Sequence, residues 1–183
     1  MKEKKTKVII PCRISYAHVW EGEPDDNGKI KYSAAILIPK DDTKTIRKVE
    51  NAVKAAIEEG KSKLANAKGI VPKNIKLPLR DADDEGVDDS AYEGMMFFNA
   101  SSTRKPQIVD RHVQPILDQE EVYSGCYCNV SINFFAFAKE GNKGIAAGLN
   151  NIQKIRDGER LAGGSTAEDD FEALDDDDDD IFD

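Results

Sequence analysis

A small, mainly β barrel with one or two helices is the fold this sequence predicts, and three observations predict it. Several segments alternate apolar and polar residues with period two, as half-buried strands do. One long segment between the early and the late strands changes to helical spacing. Turn signals built from Gly, Pro, Asn and Asp separate these segments. With 183 residues, 39% of them apolar, the chain can bury a core, and 3 cysteines are too few for a disulfide scaffold. No run approaches the roughly 18 apolar residues of a membrane span. The basic start, Met1 to Lys7, has no signal-peptide pattern after it, so a cytoplasmic protein is expected.

Residues 7–20 read as the first strand. Val8, Ile10, Cys12, Ile14 and Tyr16 fall on one face, and Lys7, Arg13 and Ser15 on the other. Pro11 marks an edge or a bulge. The turn Pro24 to Gly28 leads to a second strand, Lys29 to Ile38. Ile30, Tyr32, Ala34, Ile36 and Ile38 line its apolar face, and Lys29, Lys31 and Ser33 the opposite one. Asp41-Asp42-Thr43 supplies a helix cap, and Ile46, Val49, Val53, Ala56, Ile57 and Leu64 then recur at helical spacing over about 42–66. Residues 67–93 read as a long irregular insertion with a mobile, solvated acidic loop. Strand signals return at Gly94 to Ala100 and, more weakly, at Gln107 to Asp110.

The strongest strand signal runs from Val122 to Lys139. Its even positions, from Val122, Cys126 and Cys128 to Ala138, are almost wholly apolar and should face the core. Its odd positions carry Tyr123, Tyr127, Phe135 and Phe137, more aromatic surface than solvation requires. A hairpin turn, Glu140 to Gly144, returns the chain as a last strand, Ile145 to Arg156. Five or six strands with one inserted helix match the five-stranded oligonucleotide-binding (OB) barrel, whose helix usually lies between its third and fourth strands. An open α+β sandwich is the alternative. The barrel is expected over residues 1–164, and 165–183 as a disordered acidic tail.

The net charge is −9, from 26 bases and 35 acids, which taken whole argues against nucleic acid. Resolved along the chain, it reverses. Ser165 to Asp183 holds eleven acids and no base, which leaves residues 1–164 at about +2. Seven more acids crowd Asp81 to Glu93, and the rest of the body is near +9. On the outward strand parity Lys7, Arg13, Lys29 and Lys31 accompany Tyr123, Tyr127, Phe135 and Phe137. Cations release counterions from phosphates and rings stack on bases of any sequence, so this pairing suits non-specific single-strand binding. Burial beneath the helix or at a dimer interface is the competing account of the same rings. Arg104, Lys105, Arg111, Lys139, Lys143, Lys154 and Arg156, in or beside loops and the last strand, are candidate phosphate contacts.

The tail is the most specific feature. Asp175, Asp176, Asp177, Asp178, Asp179 and Asp180 are followed by Ile181 and Phe182. A charged approach tipped with a small apolar plug suits docking into a partner pocket. Tethered to a basic groove, the same tail can also compete with phosphates.

With these residues in view, the tail resembles that of single-stranded DNA-binding proteins from bacteria and phages. The bacterial pattern ends in Pro-Phe, whereas this chain ends Ile181-Phe182-Asp183. The body, especially Lys143-Gly144-Ile145-Ala146-Ala147-Gly148-Leu149-Asn150-Asn151-Ile152-Gln153-Lys154 running to Gly158, resembles a phage and prophage family of OB-fold single-stranded DNA-binding proteins over nearly the whole chain. The resemblance implies sequence-nonspecific coating of single-stranded DNA in phage replication and recombination, in the bacterial host cytoplasm. It implies replication or recombination proteins as partners of the tail. No cofactor and no catalysis are expected, and a homo-oligomer is compatible with the sequence.

Rival readings are weaker. Asp81 to Asp89 imitates a calcium loop, with Gly86 sixth, but has Tyr92 where the bidentate Glu belongs. Cys126 and Cys128 have the wrong spacing for a zinc knuckle and read as buried small apolar residues. His18 and His112 have no partner that marks a catalytic base, and read as surface or rim residues. An acidic-tailed interaction module or DNA mimic is the alternative from another class, and the outward cations beside aromatics argue against it.

Overall fold

Alternation over residues 7–15 makes a strand with one apolar and one polar face, and the fold is that face rolled closed on itself. The computed structural model describes residues 5–161 and 171–174. In chain order the elements are β1 (Lys7–Pro24), β2 (Ile30–Pro39), α1 (Thr43–Glu59), α2 (Lys61–Leu64), β3 (Arg80–Asp81), β4 (Met95–Ser102), β5 (Gln107–Val109), β6 (Tyr127–Lys139) and β7 (Asn142–Arg156). β1 pairs antiparallel with both β2 and β6, β2 with β4, and β6 with β7, while β7 closes on β4 in parallel. This is the closed five-stranded OB barrel, with β3 added beside β4 and β5 beside β7.

The register shows how the barrel closes. Lys7 opposes Asn133, Asn133 opposes Gly148, Gly148 opposes Ser101, Ser101 opposes Ser33, and Ser33 opposes His18. The circuit returns to β1 eleven residues beyond its start. One of the eleven is the extra residue of a bulge between Ser15 and His18. Such a stagger tilts the strands and lets five of them enclose a packed core.

Inside lie Ile10, Ile14, Ile36, Ile38, Phe98, Val130, Ile132 and Phe134, all essentially inaccessible. Each such side chain contributes roughly 1.5–3 kcal/mol by leaving water. Helix α1 buries Thr45, Val49, Ala52, Val53 and Ala56 against this core, beside β1 and β6. Its first turn is capped by Asp42, whose Oδ1 accepts from the Thr45 N–H at 3.2 Å. The expected helix over 42–66 is two helices, broken at Gly60. There the chain passes so close to β6 that a Cβ would collide with that of Ala136. Both helices lie between the second and third barrel strands, not between the third and fourth.

Three further expectations are met in part. Pairing of β1 with β2 begins only at Arg13, so Pro11 sits where β6 alone borders β1, and the bulge falls at Tyr16 instead. Lys29 lies in the turn before β2, and Ile30 is exposed, so core alternation in that strand starts at Ala34. Val122 to Cys126 precede β6, although Val122 and Cys126 are buried as expected.

The acidic segment 81–93 is not a solvated loop. It lies on the outer face of β2 and β4, where Ala82 and Tyr92 are buried with Ala35, Leu37 and Phe97 in a second apolar cluster. Lys40 Nζ pins it from below, 2.7 Å from both Asp81 Oδ1 and Asp83 Oδ2. Those bonds hold both carboxyls below their ordinary range and raise the Lys40 ammonium. Two of the carboxylates read as a calcium imitation, Asp81 and Asp83, are thus turned onto a lysine, and Glu85 pairs with Arg80 at 2.9 Å.

Candidate nucleic-acid interface

Period-two alternation on β1, β6 and β7 builds a continuous outer face whose rows follow from the register. Arg13, Tyr127 and Arg156 form one row. Pro11, Asn129 and Gln153 form the next, then Ile9, Ser131 and Asn151, then Lys7, Asn133 and Gly148. Phe135 beside Ala146 and Phe137 beside Gly144 complete it. A cationic and aromatic end is therefore joined by an amide ladder to an aromatic end. Asn129 Nδ2 donates to Gln153 Oε1 at 3.1 Å, which fixes part of that ladder.

At the first end the rings are already engaged. Tyr127 lies between Arg13, with Cζ 5.5 Å from the ring centroid, and Arg156, at 4.1 Å. Tyr123 precedes β6 and lies between Lys154 at 5.8 Å and Arg160 at 4.3 Å. Its hydroxyl donates to Gly158 O at 2.9 Å, and burial raises its pKa. Residues 157–161 cross here as a strap. Arg13 donates to Glu159 O at 2.8 Å, and the Leu161 N–H donates to Ser124 O at 3.0 Å. The strap passes over Gly125, whose φ of 116° and lack of a Cβ admit it. Lys154 forms an ion pair with Asp157 at 2.7 Å and is largely covered.

The other end is open. Lys7, Arg104 and Lys105 converge on a groove with Gln107, Asn150 and Asn151, about 250 Å³ in volume. Asn150 is the extra residue of a bulge in β7, between the Leu149–Ile132 and Asn151–Ser131 pairs. Next to the groove, the Phe135 ring leans over Gly148, where an added Cβ would lie 3.5 Å from the ring. Phe135 is 45% exposed, a large apolar ring left in solvent. Phe137 is half-buried and Lys139 is exposed near the hairpin tip.

Most of the remaining candidates separate from this site, while Arg111 stays at its edge, where its carbonyl accepts from Gln153 Nε2 at 3.3 Å. Lys143 donates to Ala65 O at 2.9 Å and ties the β6–β7 hairpin to the helices. Arg111 donates to Ile155 O at 3.2 Å. Lys29 and Lys31 lie in and after the β1–β2 turn, with Lys31 3.9 Å from Asp25. Asp175 to Phe182, the tail candidates, lie outside the described residues. Cys12, Cys126 and Cys128 are buried; Cys126 and Cys128 touch at 3.5 Å, and burial raises the Cys12 thiol.

Sequence parity missed the outer face of β1, β2 and β4. Tyr16, assigned to the core, is 58% exposed with φ 46°, because the bulge reverses the alternation at that point. Tyr92 and Phe97 meet edge to face at 5.3 Å, and Arg80 lies 4.9 Å over Phe97. The only sequence signal for this cluster was an aromatic in the acidic segment, Tyr92.

Residues 6–182 match the family model described as the ssDNA-binding protein of Enterobacter phage Enc34. Protein p50 of Acyrthosiphon pisum secondary endosymbiont phage 1 is 31% identical over 160 residues, 85% of each chain. The single-stranded DNA-binding protein of bacteriophage Enc34, solved in complex with ssDNA, superposes with a TM-score of 0.69 at 24% identity, over 88% of this chain and 96% of that one. The single-stranded DNA-binding protein gp2.5 of bacteriophage T7 superposes with a TM-score of 0.59 at 16% identity, over 94% of this chain and all of that one.

Proposed function

The chain belongs to the family of the Enterobacter phage Enc34 ssDNA-binding protein, a family of non-catalytic binding proteins, and from that premise we propose that it coats single-stranded DNA without sequence preference. The observation that carries the reading on this chain is the convergence of Lys7, Arg104 and Lys105 on a groove beside the exposed Phe135 ring. The cations take phosphates, Phe135 takes a base, and base edges meet the amide N–H groups of Asn133 and Asn151, whose oxygens already accept from Thr6 and Gln107. Tyr127, with Arg13 and Arg156, extends the track along β6. The same chemistry accepts RNA, since neither stacking nor phosphate contact excludes a 2′-hydroxyl.

Residues 1–164 form the binding unit in this proposal, and the acidic tail recruits replication or recombination proteins in the bacterial host cytoplasm while competing for the groove. The test is titration of a labelled mixed-sequence single strand at rising salt. Affinity is expected to fall with a slope of about −0.7 per neutralised phosphate. Absence of binding at low salt would favour an interaction module instead.

A further inference from the structure

Tyr16 is the one exposed aromatic in the barrel wall with a backbone that disfavours it. Its φ of 46° is a left-handed conformation, at a β-bulge between the Ser15–Ala35 and His18–Ser33 pairs. Residues with a Cβ hold such conformations at a cost, and they collect where a side chain must be aimed. Here the bulge turns a position of core parity outward: Val19 beyond it is fully buried, while Tyr16 is 58% exposed. Burial therefore does not explain the ring. Its ring centroid lies 6.5 Å from that of Tyr92, with the two rings tilted by 57°.

The surroundings specify a ligand. Beside Tyr16 on the outer face lie Ser33, then Asn99 and Ser101 of β4, then Gly148 of β7. Asn99 and Ser101 are exposed, and these residues are small or hydrogen-bonding. Gly148 is the residue over which Phe135 leans. An open polar strip thus crosses β2, β4 and β7 between two exposed rings, roughly 14 Å from β1 to β7 at the usual strand spacing. That span suits a few nucleotides running across the strands. Cations line the groove at the Phe135 end of the strip, where Lys7, Arg104 and Lys105 gather. The acidic segment 81–93, whose Tyr92 faces the Tyr16 ring, covers Leu37 and Phe97 on the neighbouring rows.

We propose that Tyr16 is a base-stacking residue and that the single strand crosses from Tyr16 over Ser33, Asn99, Ser101 and Gly148 to Phe135. The inference rests on the single-strand reading above and adds a second contact and a direction to it. Its test compares wild type with Tyr16→Gly, Tyr16→Ala and Tyr16→Phe, using a mixed-sequence oligonucleotide and thermal melting. Tyr16→Gly and Tyr16→Ala are expected to bind roughly 5- to 150-fold more weakly, the range for one lost stack. Their salt slope stays that of wild type, because no phosphate contact is removed. Tyr16→Phe binds within about twofold. Tyr16→Gly melts at or above the wild-type temperature, since glycine adopts φ 46° without strain. Affinity and stability moving apart in that variant would support stacking. Unchanged affinity in Tyr16→Gly, with wild type binding normally, would overturn this inference and leave the reading intact, as would an affinity loss matched by a lowered melting temperature. A wild type that fails to bind would remove both.

Discussion

Phe135 and Tyr16 are both large rings in solvent, and only one was legible in the sequence. Phe135 follows from parity, because β6 alternates without interruption and Phe134 is its buried neighbour. Tyr16 shares the parity of Ile10 and Ile14, and one inserted residue reverses it. A bulge needs no marker residue when the strain falls on a tyrosine, so nothing in the sequence announces the reversal. Tyr123 was read as an outward strand residue, but the hydrogen bonds that hold it come from Asp157 and Gly158, 34 and 35 residues away. At this scale the expectation concerns Phe135→Ala. With the ring 45% exposed the core stays filled, so the melting temperature should hold within a few degrees. Single-strand affinity should fall roughly 5- to 150-fold, measured by fluorescence anisotropy. Unchanged affinity would remove Phe135 from the site.

Among the elements, the five barrel strands were readable in outline because each carries its own alternation, whereas the 81–93 segment was not. Its seven acids suggested solvation. Its anchoring depends on Tyr92, whose ring is the one hint in the sequence, and on two features that are silent in one dimension, Ala82 and the distant Lys40. The segment should also respond to acid. Asp81 and Asp83 have pKa values lowered from 3.8, chiefly by Lys40. A carboxylate lowered on folding adds stability above its ordinary value, and that stability disappears as pH falls through the lowered one. Below about pH 4 the segment should therefore loosen while the barrel persists. Hydrogen exchange at the Ala82 and Val87 amides, corrected for intrinsic rate, should report it. Lys40→Met should show the same loss at neutral pH, roughly two- to fivefold in protection, as expected of an exposed ion pair. Equal protection in the variant and the wild type would mean that the apolar anchors alone hold the segment.

For the whole molecule, the net charge of −9 describes neither the groove nor the tail. Removing residues 165–183 takes away eleven acids, so the truncated chain is expected to bind single strands more tightly at low salt. That gain should shrink toward zero near 0.5 M salt, where charges this far apart are screened. Truncation that weakened binding would contradict the competition proposed for the tail. Phe182→Ala keeps every charge, so it should spare the competition and impair partner capture in a pull-down. The circuit of strands has one further consequence. It is sealed between β4 and β7 by only two parallel residue pairs, Ala100 with Ala147 and Ser101 with Gly148. Parallel pairing is the weaker kind, so this seam is where the wall would first unroll. The proposed track crosses it at Ser101 and Gly148. A polynucleotide lying there would act as a clasp over the seam, so that each molecule in a coat is braced by the strand it protects, and stripping the strand away would leave the barrel easier to open.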